Sequence, residues 1–157
     1  MAQKLSLELL TPVMDNSKNI DYHGSNGKLR KILIVEDETL VSWSIGNILK
    51  KAGHESTIVD SGEKAVELLA KQDFDIVITD LKLPQIDGFV VATTAKTKNP
   101  TTPVVMISAM SNQTIQGLQV QQLIDYYLEK PFDLNEIVEI SKTLINKSQK
   151  RSTNFRL

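Results

Sequence analysis

The sequence predicts an α/β fold, a doubly wound parallel sheet of five strands in the order 2-1-3-4-5 with helices on both faces. Strand-like and helix-like segments alternate five times along the chain, a pattern typical of parallel strands joined by right-handed crossover helices. The strand-like segments are short apolar runs, as expected for strands that are buried on both faces. The order 2-1-3-4-5 is the simplest open arrangement of five such strands.

The first half of this pattern contains three strands and two helices. The first helix is amphipathic and stops before Gly53, a residue that commonly ends helices. Ser61 is placed to cap the second helix. The third strand is the clearest, because its apolar run stops at Asp80 and is followed by a loop with Pro84 and Asp87-Gly88. The segments are, in order, strand 31–35, helix 39–52, strand 55–59, helix 61–71 and strand 74–80.

The second half repeats the alternation with weaker signals. The helix predicted at 111–122 is rich in Gln and contains Gly117, so we expect it to be loosely held. The last helix begins at an Asp133 cap and continues to about Ile145. The segments are helix 89–97, strand 103–108, helix 111–122, strand 125–128 and the helix that starts at Asp133.

Composition divides the chain into an extension (1–28), a domain (29–147) and a basic tail (148–157). Residues 29–140 carry ten basic and sixteen acidic side chains, whereas residues 141–157 carry five basic ones and no acidic one. The cations are not interleaved with aromatic side chains, so we expect a solvated tail and consider nucleic acid an unlikely partner. In the extension, the apolar island at 5–10 cannot offset its own ordering entropy, so we expect it to be flexible or docked on another surface.

Cysteine is absent, which excludes disulfides and thiol chemistry. No apolar run approaches the roughly 18–20 residues that span a bilayer, and the N-terminus lacks the layout of a signal peptide. We therefore expect a cytoplasmic protein that does not contact the membrane.

Three carboxylates are expected at one edge of the sheet, because strands 1 and 3 are neighbours in the predicted order. Glu36 and Asp37 follow the first strand, and Asp80 ends the third. Two unit charges about 4 Å apart repel by roughly 4 kcal/mol at an effective dielectric near 20. Such a cluster persists if a pKa rises or a cation binds, and an all-oxygen ligand set favours Mg²⁺, Mn²⁺ or Ca²⁺ over zinc.

Ser108 and Lys130 end the fourth and fifth predicted strands at the same edge. A hydroxyl and an ammonium beside a metal-bound carboxylate suit a phosphoryl group, which the carboxylate could accept as an acyl phosphate. Taken singly, each residue also has a purely structural interpretation: Asp80 or Ser108 could simply end a strand, and Lys130 could be solvated.

Four motifs, each at the end of a predicted strand, give the chain from about residue 29 to residue 147 a specific likeness. In this order and at these positions it resembles a receiver (CheY-like) domain of bacterial two-component response regulators, whose fold is flavodoxin-like. The motifs are Ile-Val-Glu-Asp-Glu at 34–38, Ile-Thr-Asp-Leu-Lys-Leu-Pro-Gln-Ile-Asp-Gly at 78–88, Val-Met-Ile-Ser-Ala at 105–109 and Tyr-Leu-Glu-Lys-Pro-Phe at 127–132.

The resemblance implies a role for each matching residue. Asp80 would be the phosphoacceptor, and Mg²⁺ would be held by Glu36, Asp37, Asp80 and the backbone carbonyl of Lys82. Ser108 would bind the phosphoryl group together with Lys130. Tyr127 would be the aromatic residue that turns inward on activation, and the Lys130–Pro131 peptide bond would be cis.

The resemblance also implies a function. The chain would receive phosphate from a histidine kinase or a histidine phosphotransfer protein and would switch a target-binding face formed by the fourth helix, fifth strand and fifth helix, with a homodimer as one possible state. It would not be an enzyme beyond phosphotransfer to its own aspartate and slow autodephosphorylation. The main alternative is a phosphorylation-independent interaction module. A phosphatase with an aspartyl-phosphate intermediate fits less well, because Lys82 stands where such enzymes carry a second Asp.

Trp43 is not explained by these motifs. On a helical wheel it lies about 160° from the apolar face of the first helix, on the side expected to be polar. Exposed tryptophans are enriched at interface hot spots, which favours contact with a partner. The alternative is cover by a loop or by the N-terminal extension, with Leu7 or Leu9 as candidates.

Overall fold

The computed structural model describes residues 28–116 and 122–154, and in them five parallel strands form one sheet in the order β2-β1-β3-β4-β5. This confirms the predicted fold class and strand order. The strands are β1 (Lys31–Val35), β2 (Glu55–Val59), β3 (Ile76–Asp80), β4 (Val104–Ser108) and β5 (Tyr126–Glu129). The helices are α1 (Thr39–Lys51), α2 (Gly62–Lys71), α3 (Gly88–Lys98), α4 (Asn112–Gln116) and α5 (Leu134–Asn154).

Two hydrophobic cores cover the two faces of the sheet. Side chains alternate along each strand, so in β1 Ile32 and Ile34 point to one face while Leu33 and Val35 point to the other. The first face packs against α1 and α5, through residues such as Ile45 and Ile137. The second face packs against α2, α3 and α4. Because both faces are buried, β3 and β4 can be apolar almost throughout.

Several element ends differ from the sequence expectations. β5 begins one residue later than predicted, and α4 is described only to Gln116 because residues 117–121 lie outside the described part. α5 continues to Asn154, through positions where a tail was expected to begin at residue 148. The Ser148 hydroxyl donates to the Thr101 carbonyl at 3.0 Å and holds this part of the helix against the turn between α3 and β4. The expected extension (1–28) lies outside the described residues except for Lys28, and the division at residue 29 stays a prediction.

The register aligns the C-terminal ends of the strands. Val35 pairs with Thr79, Asp80 pairs with Ile107, and Ser108 pairs with Glu129. Residues just beyond β1, β3, β4 and β5 therefore meet at one edge of the sheet, where open α/β sheets place their ligands. Within the described ranges, none of the helices has the length and apolar character needed to cross a membrane.

Candidate functional site

Glu36, Asp37 and Asp80 form a cluster at the C-terminal edge of the sheet. Each contributes a carboxylate oxygen, and these three oxygens lie within 4.8 Å of one another. Glu36 and Asp80 are only 2% and 6% exposed, whereas Asp37 is exposed. The structure thus brings together the three acids that the sequence predicted to meet.

Backbone hydrogen bonds fix the two buried acids. The Glu36 amide donates to the Val59 carbonyl at 3.1 Å, so the residue continues the β1 ladder beyond the strand end. Asp80 is still paired in the sheet, and the amide of the next residue, Leu81, donates to the Ile107 carbonyl at 2.8 Å. The backbones of Glu36 and Asp80 are therefore held in place by the sheet itself.

Lys130 reaches into this cluster from the end of β5. Its Nζ donates to Asp80 Oδ2 at 2.7 Å and to Glu36 Oε2 at 3.1 Å. Its amide donates to the Ser108 carbonyl at 2.8 Å, and the following Lys130–Pro131 bond is cis, as expected from the resemblance. One ammonium thus bridges two of the three carboxylates.

Two backbone amides complete the hydrogen bonding of the buried acids. The Lys82 amide donates to Asp80 Oδ1 at 2.9 Å, and the Glu38 amide donates to Glu36 Oε1 at 3.1 Å. The resemblance implies that the Lys82 carbonyl is a metal ligand, a role that stays a prediction, whereas the contact of the Lys82 amide is not implied by it. No residue pattern indicates this contact, because any non-proline residue supplies an amide.

Burial and neighbouring charges shift the pKa values of Glu36 and Lys130. Burial raises the pKa of Glu36 to about 7, and the neighbouring Asp80 carboxylate adds to the rise. Burial alone would lower the pKa of Lys130, but the hydrogen bond to Asp80 and the charge of Glu36 outweigh it and raise that pKa. Since three carboxylates face one ammonium, the ionised cluster carries a net charge of about −2.

This donor set fits a magnesium ion. Mg²⁺ prefers octahedral oxygen ligands at about 2.1 Å, so two of its ligands lie about 3.0 Å apart when adjacent and about 4.2 Å apart when opposite. The three carboxylate oxygens, within 4.8 Å of one another, need little adjustment to reach such a spacing. No nitrogen or sulfur ligand belongs to the group, which disfavours zinc.

Ser108 and Tyr127 meet at the backbone of Met110. Ser108 is buried, and its Oγ accepts a hydrogen bond from the Met110 amide at 3.0 Å. The hydroxyl of the half-buried Tyr127 donates to the Met110 carbonyl. The two predicted switch residues are therefore connected through the peptide groups of a residue that the motifs did not single out.

Gly88 is a second residue that sequence reasoning missed. It begins α3, and a Cβ atom there would overlap the carbonyl oxygen of Asp80 and lie 2.9 Å from Met106 Sδ. The sequence indicated only a turn at Asp87-Gly88. In the structure Asp87 caps α3, accepting from the Phe89 amide at 2.9 Å, and the cap brings the helix start against the strand end. An Asp just before the helix predicted at 89–97 was the available signal.

Trp43 lies on α1 and is not one of the cluster residues. It is 54% exposed, so no loop of the described ranges covers its ring. Partner contact and cover by the extension both stay predictions.

Comparison with known proteins identifies relatives of the chain. The response regulator receiver domain matches residues 32–142. A response regulator receiver protein from Sinorhizobium medicae superposes with a TM-score of 0.70 at 31% identity, covering 78% of this chain and 99% of that one. The response regulator TrrA of Thermotoga maritima, solved in complex with Mg(2+)-BeF, gives a TM-score of 0.67 at 27% identity, covering 74% and 99%.

Two curated relatives are longer proteins. The transcriptional regulatory protein TcrA of Mycobacterium tuberculosis is 36% identical over 107 residues, which are 68% of this chain and 42% of the relative. The DNA-binding transcriptional regulator NtrC of Escherichia coli is 28% identical over 120 residues, 76% of this chain and 26% of the relative. The chain spans less than half the length of either. Because both are named as transcriptional regulators, they do not support the expectation that nucleic acid is an unlikely partner.

Proposed function

Because the chain belongs to the response regulator receiver family, its role is phosphorylation-dependent two-component signalling, and we propose that Asp80 receives the phosphoryl group. The observation that carries this assignment is the position of Asp80. Its carboxylate is nearly buried at a strand end, Lys130 Nζ lies 2.7 Å from one oxygen, and two further acids lie beside it. A carboxylate that is fixed and crowded in this way is suited to nucleophilic attack on phosphorus.

The donor is the phosphohistidine of a histidine kinase or of a histidine phosphotransfer protein. An Asp80 oxygen attacks the phosphorus atom, a P–O bond forms, and the P–N bond to the imidazole breaks. The imidazole keeps the electron pair and takes a proton from solvent. Lys130 and the Ser108 hydroxyl stabilise the charge on the transferred oxygens.

Glu36, Asp37, Asp80 and the Lys82 carbonyl would hold Mg²⁺, which neutralises charge on the phosphoryl oxygens during transfer. The net charge of about −2 of the ionised cluster matches that of a divalent cation in size. The Thermotoga relative solved with Mg(2+)-BeF adds support from a similar fold.

The contacts of Met110 supply a route from the site to the surface. When Ser108 turns its hydroxyl toward a phosphoryl group, its Oγ leaves the Met110 amide, which it now binds at 3.0 Å. The Met110 peptide then shifts, and the Tyr127 hydroxyl that donates to its carbonyl is released. Tyr127 belongs to β5, so the change reaches the face formed by α4, β5 and α5, where a downstream protein or a second copy would bind.

To switch the domain fully, phosphorylation must stabilise the active conformation over the inactive one by a sufficient free energy. Moving a two-state equilibrium from 1:99 to 99:1 takes about 5.5 kcal/mol. Ser108, Lys130 and Mg²⁺ would form new bonds to a phosphoryl group that carries a charge of about −1.5 to −2. The free energy of these bonds together is of this order. In this proposal the chain is a cytoplasmic signalling protein whose only reaction is at its own aspartate, including slow loss of the phosphoryl group.

The test is phosphoryl uptake from a small donor such as acetyl phosphate, measured by intact-mass spectrometry. Wild type should gain one phosphoryl group in Mg²⁺ and none in EDTA. Asp80→Asn should gain none. Asp73→Asn, which removes an exposed carboxylate just before the same strand, is the matched control and should behave as wild type. Equal uptake by Asp80→Asn would refute the assignment, and no uptake by wild type would favour the phosphorylation-independent module.

A further inference from the structure

β2 forms an edge of the sheet, and among the described residues it pairs only with β1. The Glu55 amide donates to the Arg30 carbonyl, and the Val59 carbonyl accepts from the Glu36 amide. Because successive residues of a strand direct their backbone groups to opposite sides, the amides and carbonyls of Ser56 and Ile58 point away from β1. An edge of this kind can pair with another extended segment.

Beside this edge lies a group of exposed apolar side chains, Leu40, Trp43 and Ile58, here called the edge patch. They are 43%, 54% and 43% exposed, respectively. Leu40 and Trp43 are three residues apart on α1 and therefore share a side of the helix. Gly46 follows one turn later, and a Cβ atom there would lie 2.9 Å from Ile58 Cδ1. The lack of a side chain at Gly46 thus lets Ile58 pack directly against α1, one turn of helix from Trp43.

The edge patch is small. A stable interface between separate proteins buries about 800 Å² on each partner, far more than three partly exposed side chains can offer. A segment of the same chain needs much less contact area, because a short tether gives it an effective concentration in the millimolar range. The size of the patch therefore favours an occupant from this chain over a second copy or a separate partner.

The chain contains such a segment among the 27 residues that precede the described part. Residues 5–9 read Leu-Ser-Leu-Glu-Leu, which alternates apolar and polar side chains as in a strand with one buried face. The described part begins at Lys28, three residues before β1, the neighbour of β2. The intervening residues 10–27 span on average about 21–25 Å as a flexible chain, more than the roughly 17 Å length of a five-residue strand.

We propose that residues 5–9 pair with the free edge of β2 as a sixth strand and cover the edge patch. Leu5, Leu7 and Leu9 face the α1 side of the sheet, where Ile58 also points because its partner Ile34 belongs to the core on that side. Ser6 and Glu8 face the opposite side. The outward amides of Ser56 and Ile58 gain carbonyl partners. This proposal does not depend on the phosphoryl chemistry of Asp80.

The single tryptophan of the chain makes the test direct. In the full chain, the fluorescence of Trp43 should resist acrylamide quenching. The double variant Leu7→Asp with Leu9→Asp should raise the quenching constant about threefold, because the aspartates cannot be buried against the ring. The matched control, Ser6→Asp with Leu10→Asp, adds the same charge on the other face of the segment and should quench as wild type.

Hydrogen exchange distinguishes strand pairing from simple cover of the ring. The amides of Ser56 and Ile58 should be protected in wild type and should exchange at least about tenfold faster in the Leu7/Leu9 variant. The Thr57 amide, which faces β1, should not change. Circular dichroism should show that the Leu7/Leu9 variant stays folded, since residues 7 and 9 lie outside the matched domain at 32–142. The variant Ile58→Lys tests the contact between residues 5–9 and the edge patch from the β2 side. Equal exchange of Ser56 and Ile58 in wild type and variant, or protection that depends on protein concentration, would overturn the proposal.

Discussion

At the N-terminal end of the sheet, charged side chains pair one to one, whereas at the C-terminal end three carboxylates share one ammonium. Arg30 lies 3.7 Å from Asp75, and Lys96 lies 2.5 Å from Asp125. At the other end, Lys130 bridges Asp80 and Glu36 while Asp37 adds a third negative charge. At both ends the carboxylates lie within or beside strand termini, so the difference lies in the balance of charge and not in the architecture.

The two arrangements of charge have different consequences for the stability of the domain. Each pair at the N-terminal end neutralises a partly buried charge and ties loops to strands, as when Asp125 also accepts from the Val104 amide at 2.8 Å. The cluster at the C-terminal end has unbalanced negative charge, which costs stability and, in the function proposed above, provides affinity for Mg²⁺ and a nucleophile for phosphorus. Substitutions that remove one charge should therefore have opposite consequences at the two ends.

The largest expected effect is on chemistry and comes from Lys130→Met. This change removes the only ammonium within reach of both Asp80 and Glu36 in the described part of the chain. Phosphoryl uptake from acetyl phosphate should slow by about 10²-fold, the typical loss when one charge-stabilising donor is removed. The measurement is the initial rate of mass gain in saturating Mg²⁺. Uptake at the wild-type rate would show that Lys130 is structural, like the lysines at the other end.

Lys96→Met is the counterpart at the N-terminal end and should affect stability. The Lys96 ammonium donates to the Thr102 carbonyl at 2.8 Å and pairs with Asp125. Its removal leaves Asp125 without its cation, so the free energy of unfolding in urea should fall by about 1–3 kcal/mol. Phosphoryl uptake should stay within about twofold of wild type, since distant sites act independently.

Lys64→Met is the control for Lys96→Met. Lys64 also pairs with an aspartate, Asp60 at 2.7 Å, but both side chains are well exposed. Exposed pairs contribute little, so its urea midpoint should match that of wild type. A loss of stability as large as that of Lys96→Met would mean that burial does not distinguish the two pairs.

Sequence periodicity and strand-end carboxylates were enough to predict the sheet order and the meeting of Glu36, Asp37 and Asp80. Both follow from short-range rules: apolar runs define strands, and parallel strands place their C-terminal ends together. Lys130 could be placed at the same edge for the same reason. The division of its two hydrogen bonds between Asp80 and Glu36 depends on side-chain geometry that no spacing encodes.

The contacts that sequence did not predict involve backbone groups or the end of a helix. The Met110 amide and carbonyl connect Ser108 with Tyr127, and these peptide groups are present at every such position. The close approach of Gly88 to Asp80 is a tertiary contact between elements. α5 extends beyond its last apolar residues because Lys, Gln and Arg favour helices and Ser148 is anchored to Thr101.

The smallest effect, and the most informative about unbalanced charge, concerns Glu36 in the absence of metal. Burial and Asp80 raise the pKa of Glu36 to about 7 in the folded state, above the value of 4.5 expected when unfolded. The folded state then binds one more proton than the unfolded state between these pH values, so this group's contribution to stability falls as pH rises from about 5 to 7. Above pH 7 the buried carboxylate is charged, and the contribution is at its lowest.

Glu36→Gln removes this titration, because an amide stays neutral throughout. In EDTA at pH 8, the variant should therefore be more stable than wild type, on the order of 1–2 kcal/mol after the loss of charged hydrogen bonds is allowed for. The advantage should shrink as pH falls to 5, and urea unfolding across this range measures it.

Glu38→Gln, which alters the exposed neighbour, is the control, and its free energy of unfolding should change with pH as that of wild type does. Added Mg²⁺ should stabilise wild type and Glu38→Gln but not Glu36→Gln, since the ion needs the ionised carboxylate. If Glu36→Gln unfolded with the pH slope of wild type, the C-terminal end of the sheet would be as well balanced in charge as the N-terminal end, and its charge could not support the proposed binding of Mg²⁺.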